Sequence, residues 1–305
     1  MKIKLLTILL SVIFLVPSAA SALEISDFFQ NSADLGLSSR AYLIAERGSG
    51  KIIVSKNSSQ SWVPASLTKL VTLLTILDTK PKLTKSVSMK AEDQTAGQCS
   101  KGGACIATKP GVSYSVDGLF HASLIASANN ATYALARSSG LSVGEFVKKM
   151  NEKAASLGAL NTRFVEPTGI DPANTTTAED YAKIAAAAFA DPYLKKLAGL
   201  KQYTLKSNNN KKYVHKLKNT NKLLDDDRLG SVAGKTGFLE ESGYNFVSLA
   251  QDRFGNSFVV VVFGSRSASA EFEETRLLVD LAGLNMVFGG QVLGTSTTQT
   301  INFVN

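Results

Sequence analysis

The spacing of apolar positions changes twice along the chain, from strand-like to helical and back. Ala41–Glu46 alternates loosely and predicts a strand, Gly48-Ser49-Gly50 makes a turn, and Ile52-Ile53-Val54 begins the returning strand of a hairpin. After Pro64 the period becomes helical. Leu67, Leu70, Val71, Leu74 and Leu77 share one face, and Pro81 must end that helix. The middle reads as further helices over Val116–Ile125 and residues 131–137, separated by Ser127-Ala128-Asn129-Asn130. Ser142 and Glu145 form a capping box for the next helix, which ends near Gly158, and another runs from Thr177 and Asp180 to Ala190. Strands return at residues 232–236, 245–250 and 257–263, with a turn over 252–256, and residues 270–284 close the pattern as a helix. The expectation is an α+β domain: an antiparallel sheet drawn from both termini, helices on both faces, and a long helical insertion between the strands. No Pro/Gly/Ser-rich linker interrupts residues 40–285, which therefore read as one domain.

The first 22 residues depart from this pattern. Lys2 and Lys4 precede an apolar run of 12 residues, 5–16, and Ala20-Ser21-Ala22 is a small-residue cleavage site. The run is shorter than the roughly 20 residues of a spanning helix. Residues 1–22 are expected to be a signal peptide cleaved after Ala22, with an uncleaved N-terminal anchor as the alternative. Export to a periplasm or an outer cell envelope follows. At the other end, residues 289–305 are rich in Gly, Thr, Ser and Gln and read as a short, loosely held tail. No basic amphipathic helix appears there, so no C-terminal membrane anchor is expected.

Composition refines the picture only a little. Of 305 residues, 44% are hydrophobic, enough for a sizeable core. The net charge is +8, but the basic residues are spread along the chain without a dense run, which argues against a nucleic-acid partner. A basic surface suits an anionic cell envelope. The two cysteines, Cys99 and Cys105, flank a short glycine-containing stretch. In an exported chain such a pair reads as a disulfide, two independent thiols being the plainer alternative. Without nearby histidines they supply only half a zinc site, so no metal is expected.

Three short patterns carry chemistry. Ser66 and Lys69 lie one turn apart at a helix start, where both can face one cleft. A serine hydroxyl attacks only when a base takes its proton, and a lysine serves if its pKa is depressed. A helix cap followed by a surface lysine would look the same. Ser127-Ala128-Asn129 is weaker, and serine-x-asparagine recurs at Ser55 and Ser207. Lys235-Thr236-Gly237 offers a cation and a hydroxyl to a substrate carboxylate, with a glycine that allows close backbone approach. The order of the three, from helix start to interhelical loop to strand, is what makes them specific. It is the known order of the penicillin-binding proteins and class A β-lactamases.

The chain resembles the low-molecular-mass penicillin-binding proteins, the D-alanyl-D-alanine carboxypeptidases and endopeptidases of serine peptidase family S11. The likeness runs from about residue 38 to 288 and includes Pro64-Ala65 before Ser66, Lys109-Pro110-Gly111, Pro167-Thr168-Gly169-Ile170-Asp171, Asn219-Thr220-Asn221 and Ser242-Gly243-Tyr244-Asn245. It implies a β-lactamase/transpeptidase-like fold over residues 23–288 and no cofactor. It makes Ser66 the acylated nucleophile, Lys69 the base, Ser127 a proton relay and Asn129 a substrate holder. Lys235 and Thr236, beside Gly237, would bind the terminal carboxylate, and the N–H groups of Ser66 and Phe238 would form an oxyanion hole. Peptidoglycan peptide stems are the implied substrate and β-lactams the implied covalent inhibitors. Lys69 is expected to work neutral and Lys235 charged. A serine β-lactamase is the alternative enzyme, but Glu166 is followed by Pro167-Thr168-Gly169 and does not match that family's water-activating motif. A non-catalytic envelope-binding protein is the alternative outside enzymes.

Overall fold

The expected hairpin of β1 (Ala41–Glu46) and β2 (Ile52–Lys56) forms one end of a five-stranded antiparallel sheet. The structure, a computed structural model, describes residues 35–230, 232–287 and 299–304; the proposed signal peptide lies outside them. Small β-pairs and helices fill the middle of the chain. These are a 3-10 turn over Ala65–Thr68, α1 (Lys69–Asp78), β3 (Ser86–Ser88), α2 (Ala91–Ala96), β4 (Ser113–Ser115), α3 (Val116–Ile125), α4 (Asn129–Ser138) and α5 (Val143–Ser156). Next come α6 (Ala178–Ala190), α7 (Pro192–Ala198) and a hairpin of β5 (Gln202–Lys206) with β6 (Val214–Lys218). The sheet is completed by β7 (Val232–Leu239), β8 (Gly243–Gln251) and β9 (Ser257–Ser265), in the order β2-β1-β9-β8-β7, and α8 (Ala270–Val287) follows.

The central strands show why the sheet needs helices on both sides. In β9, Val259, Val261 and Phe263 enter one core with Leu43 of β1, while Phe258, Val260 and Val262 enter the other with Tyr42 and Ile44. A strand buried on both faces reads as a continuous apolar run, and each face must be covered. Helix α6 packs on the first face and α8 on the second. Each fully buried valine contributes about 1.5–3 kcal/mol, so this strand anchors the frame from which the site is hung.

Three local findings differ from the pattern-based reading. Helix α4 begins at Asn129 rather than at 131, because Asn129 and Asn130 are buried and their Nδ2 groups donate across the chain to Gly97 O and Ile106 O. The β5–β6 hairpin and α7 were hidden, since lysines interrupt their apolar positions. In the tail, residues 299–304 do not hang loose. Ile52 N donates to Gln299 O (2.9 Å), Ile301 N donates to Gly50 O (2.8 Å), and Ile301 is buried. Gly50 permits this contact: at its φ of +70° a Cβ would lie 2.0 Å from Ile301 O.

Candidate active site

Ser66 sits on the 3-10 turn that precedes α1, and that turn is strained. Ala65, its first residue, has a φ of 51°, in the left-handed region that non-glycine residues avoid. Two glycines from distant segments press against it. A Cβ on Gly169 would lie 1.8 Å from Ala65 O, and one on Gly237 would lie 2.8 Å from Pro64 O and 3.1 Å from Ser66 N. Close packing by these glycines, over-determined from two sides, holds a conformation that local sequence would not choose.

Lys69, the first residue of α1, is fully buried. Its Nζ lies 2.7 Å from Ser66 Oγ and donates to Thr168 O at 2.6 Å. Burial, reinforced by the charge of Lys235, pushes its amine well below the ordinary lysine value, while Glu166 works the other way. Glu166 fastens the loop that supplies Thr168 O. Its carboxylate accepts from Thr168 N (2.7 Å), Thr168 Oγ1 (2.6 Å), Ile170 N (3.0 Å), Asn174 Nδ2 (2.8 Å) and also Gly169 N. These donors saturate a carboxylate's lone pairs, so Glu166 is a fastening group and not a free base.

A second serine–lysine pair is assembled over long range. Ser127 follows α3 with a φ of 56°, again left-handed, and is buried. Lys235 of β7 donates from Nζ to Ser127 Oγ at 2.8 Å across 108 residues of sequence, and to Thr236 O at 2.8 Å. Burial pushes Lys235 down to about 7, with the Glu271 carboxylate opposing that shift. Glu271, in the first turn of α8, is itself buried and pushed up to about 8, Lys235 opposing. Its Oε2 has no hydrogen-bond partner among the described residues.

The opposite rim is formed by Asn129 and the cysteine loop. Asn129 N donates to Ala104 O (2.7 Å) and its Nδ2 to Gly97 O (3.3 Å), which leaves its Oδ1 buried without a partner. Cys99 and Cys105 are bonded to each other, with Cα atoms 5.7 Å apart, and close the loop between these two carbonyls. Gln98, Lys101, Gly102 and Gly103 of that loop face the cleft. On the β7 side Thr236 Oγ1 donates to Thr220 Oγ1 (2.6 Å), and half-exposed Phe238 packs on Tyr244.

The residues singled out from the sequence therefore converge. Ser66, Ser127, Asn129, Thr236, Gly237 and Phe238 line one cleft, while Lys69 and Lys235 stand buried behind the two serines. Thr220 and Glu271 also line the cleft and were not read as site residues. Thr220 falls inside a segment that carried the family resemblance. Glu271 carried no signal, because an acidic residue in a helix's first turn is ordinary. His121 lies elsewhere: its Nδ1 hydrogen-bonds to Asp117 O at 2.8 Å and its ring stacks on Tyr203.

Residues 28–267 match the family model of peptidase S11, D-alanyl-D-alanine carboxypeptidase. The chain is 32% identical to D-alanyl-D-alanine carboxypeptidase DacF of Bacillus subtilis over 92% of its length and 70% of the relative's. It is 30% identical to a D-alanyl-D-alanine endopeptidase of Haemophilus influenzae, covering 76% of this chain and 77% of the relative. Among solved structures, the DD-transpeptidase of Streptomyces K15 superposes with a TM-score of 0.74 at 26% identity, covering 81% of this chain and 97% of that one. Penicillin-binding protein 5 of Haemophilus influenzae gives 0.72 at 29% identity, covering 81% and 71%. The family match, the shared fold and the two serine–lysine pairs agree: the chain belongs to peptidase family S11, the D-alanyl-D-alanine carboxypeptidases.

Proposed function

We propose that this protein is an exported serine D-alanyl-D-alanine carboxypeptidase that trims peptidoglycan stem peptides, in the cell wall and with consequences for cell shape, through an acyl-enzyme on Ser66. The observation that carries the reading is Lys69: fully buried, depressed in pKa and 2.7 Å from Ser66 Oγ. A neutral amine at that distance accepts the hydroxyl proton as the oxygen attacks the carbonyl carbon of the penultimate D-alanine. The Ser66 and Phe238 N–H groups receive the developing oxyanion. Ser127, hydrogen-bonded to Lys235, relays to the leaving amine the proton that Lys69 took from Ser66, which leaves Lys69 neutral again. The peptide C–N bond then breaks, D-alanine departs, and water hydrolyses the ester. Asn129 holds the stem through its unpartnered Oδ1. Lys235 and Thr236 hold the terminal carboxylate, whose negative charge favours the protonated form of an amine that burial has pushed down to about 7.

Release of D-alanine from a soluble D-Ala-D-Ala peptide, with covalent labelling of Ser66 by a fluorescent penicillin, tests the reading. A purified protein that does neither overturns it. A second reading, cleavage of peptidoglycan cross-links, draws support from relatives named D-alanyl-D-alanine endopeptidase in Haemophilus influenzae, Pseudomonas aeruginosa and Escherichia coli. Mass spectrometry of digested muropeptides separates the two products.

A further inference from the structure

The basic residues are spread along the chain, but the net excess of positive charge is concentrated in one segment. Residues 192–224 contain nine lysines and no aspartate or glutamate, while the rest of the chain is nearly balanced, with 24 basic and 25 acidic side chains. Apolar residues interrupt the lysines, so no consecutive basic run betrays them. Folding gathers them on the β5–β6 hairpin and its flanks, and all nine are exposed.

The register explains the sorting. Leu205 pairs with His215 and Tyr203 with Leu217 on the inner side, where Leu205 and Leu217 are buried in the core. The alternate positions, Gln202 opposite Lys218, Thr204 opposite Lys216 and Lys206 opposite Val214, all point outward and are exposed. Lys211 and Lys212 cap the turn. On a strand, alternate side chains stand roughly 7 Å apart on one face, so this hairpin displays a ladder of cations. Lys206, Lys211, Lys212, Lys216 and Lys218 have no ion pair among the described residues, whereas Lys201 beside them is paired with Asp225 at 2.8 Å. Such unneutralised cations repel one another and weaken the fold slightly unless an anion answers them.

The ladder also leads into the cleft. Strand β6 ends at Lys218, and the chain continues through Asn219 to Thr220, which lines the cleft and accepts a hydrogen bond from Thr236; Lys222 lines it as well. The ladder therefore begins at Lys218, two residues from cleft-lining Thr220.

From this continuity we infer that the outer face of the β5–β6 hairpin is a docking surface for the peptidoglycan polymer itself, holding free carboxylates of neighbouring stem peptides while one stem enters the cleft. The inference rests on the proposed carboxypeptidase reading and adds a second contact with the same substrate. Lysine suits this role, because it is a hydrated point charge that attracts carboxylates without demanding fixed geometry. The contact raises the local concentration of substrate and is screened by salt, since exposed charges interact over about 8–10 Å at physiological ionic strength.

The experiment compares two charge-matched variants of the whole mature protein. In one, Lys206, Lys211, Lys212, Lys216 and Lys218 are replaced by Gln. In the other, Lys80, Lys82, Lys90, Lys148 and Lys149 are replaced instead. Binding is measured by co-sedimentation with purified insoluble peptidoglycan at low and high salt. Turnover is measured separately on a soluble D-Ala-D-Ala peptide. The hairpin variant is expected to bind the polymer at least ~10-fold more weakly at low salt, to lose most of the salt dependence, and to turn over the soluble peptide within about twofold of wild type. The control variant is expected to bind like wild type. Equal losses in both variants would reduce the effect to net charge and overturn the inference, as would unchanged binding by the hairpin variant. It is overturned equally if the hairpin lysines govern sedimentation with anionic lipid vesicles but not with peptidoglycan. Failure of wild type to process the soluble peptide would instead overturn the carboxypeptidase reading, which keeps the two failures distinct.

Discussion

The molecule presents two serine–lysine pairs to one cleft at nearly the same spacing, 2.7 Å for Ser66–Lys69 and 2.8 Å for Ser127–Lys235. Their chemistry differs because their surroundings do. Lys69 has burial and the charge of Lys235 both acting to remove its proton, and its Glu166 neighbour is tied to the backbone. Lys235 stands beside buried Glu271, which opposes loss of the lysine proton when ionised but is itself pushed up to about 8 by burial. The proposed roles use this difference: the first pair takes a proton, and the second holds one when a substrate carboxylate lies beside it. Only the first serine also sits on a strained turn clamped by two glycines, with its backbone N–H close to the Gly237 strand. A short hydrogen bond alone does not make a nucleophile; the electrostatic setting and the backbone around it decide.

The largest expected effects would break this asymmetry outright. Ser66→Ala should lower penicillin acylation by more than ~10³-fold with the circular dichroism spectrum unchanged, while Ser127→Ala should still become labelled at Ser66, more slowly. Labelling of Ser127 in the first variant would reverse the assignment. Lys69→Arg should lose activity by a similar factor, since guanidinium keeps its proton. In wild type, acylation should fall as the pH drops through the depressed pKa of Lys69, because the base is then protonated. An acid-insensitive acylation rate would rule Lys69 out as the base.

Backbone packing comes next. Gly169→Ala forces a Cβ toward Ala65 O at a φ of +85°, and should slow acylation about 100-fold through displacement of Ser66 by a fraction of an ångström. Stopped-flow acylation at several penicillin concentrations reads this directly, and a rate near wild type would show that the turn adapts.

The second pair should yield smaller, pH-dependent effects. Lys235→Ala should cut kcat/KM by about 10–100-fold, the worth of a charge-assisted hydrogen bond to the carboxylate. For wild type, carboxylate affinity should decline as the pH rises through about 7, where Lys235 loses its proton. Glu271→Gln removes a group that supports the Lys235 proton when ionised; because burial pushes Glu271 itself up to about 8, the loss should appear only on the alkaline side, at roughly 2–10-fold. A pH profile of KM that is identical in the Gln variant would separate Glu271 from substrate binding.

The smallest effect is expected at the rim. Replacing Cys99 and Cys105 together by Ser opens a small ring, which costs about 2 kcal/mol in the loop-closure treatment and leaves the core intact. Penicillin acylation at Ser66 should stay near wild type. Turnover of large cross-linked muropeptides should change, because Gly97 O, just before that ring, and Ala104 O, within it, both hold Asn129. Loss of folding in the double variant would show that the bond supports the fold instead.

Much of the frame was legible from periodicity alone. Helix α3 runs over the expected residues, α5 carries the expected capping box between Ser142 and Glu145, and α6 ends at Ala190 as read. Such signals are local, set by side chains within a turn or two of one another. Elements that carry their charges on the outside, such as the β5–β6 hairpin, left a weaker pattern, because only Leu205 and Leu217 of those strands reach full burial.

The amino-acid sequence by itself placed Ser66 and Lys69 on one face, since residues three apart on a helix are neighbours. It also determined the two-faced apolar strand β9 that forces helices onto both sides of the sheet. Tertiary structure alone decided the rest of the site. It joined Lys235 to Ser127 across 108 residues, set Glu271 beside Lys235, and pressed Gly169 and Gly237 against the nucleophile turn. The physical reason is that burial sets the protonation of both lysines, and burial belongs to no single segment: every wall of the cleft contributes to removing water from Lys69 and Lys235.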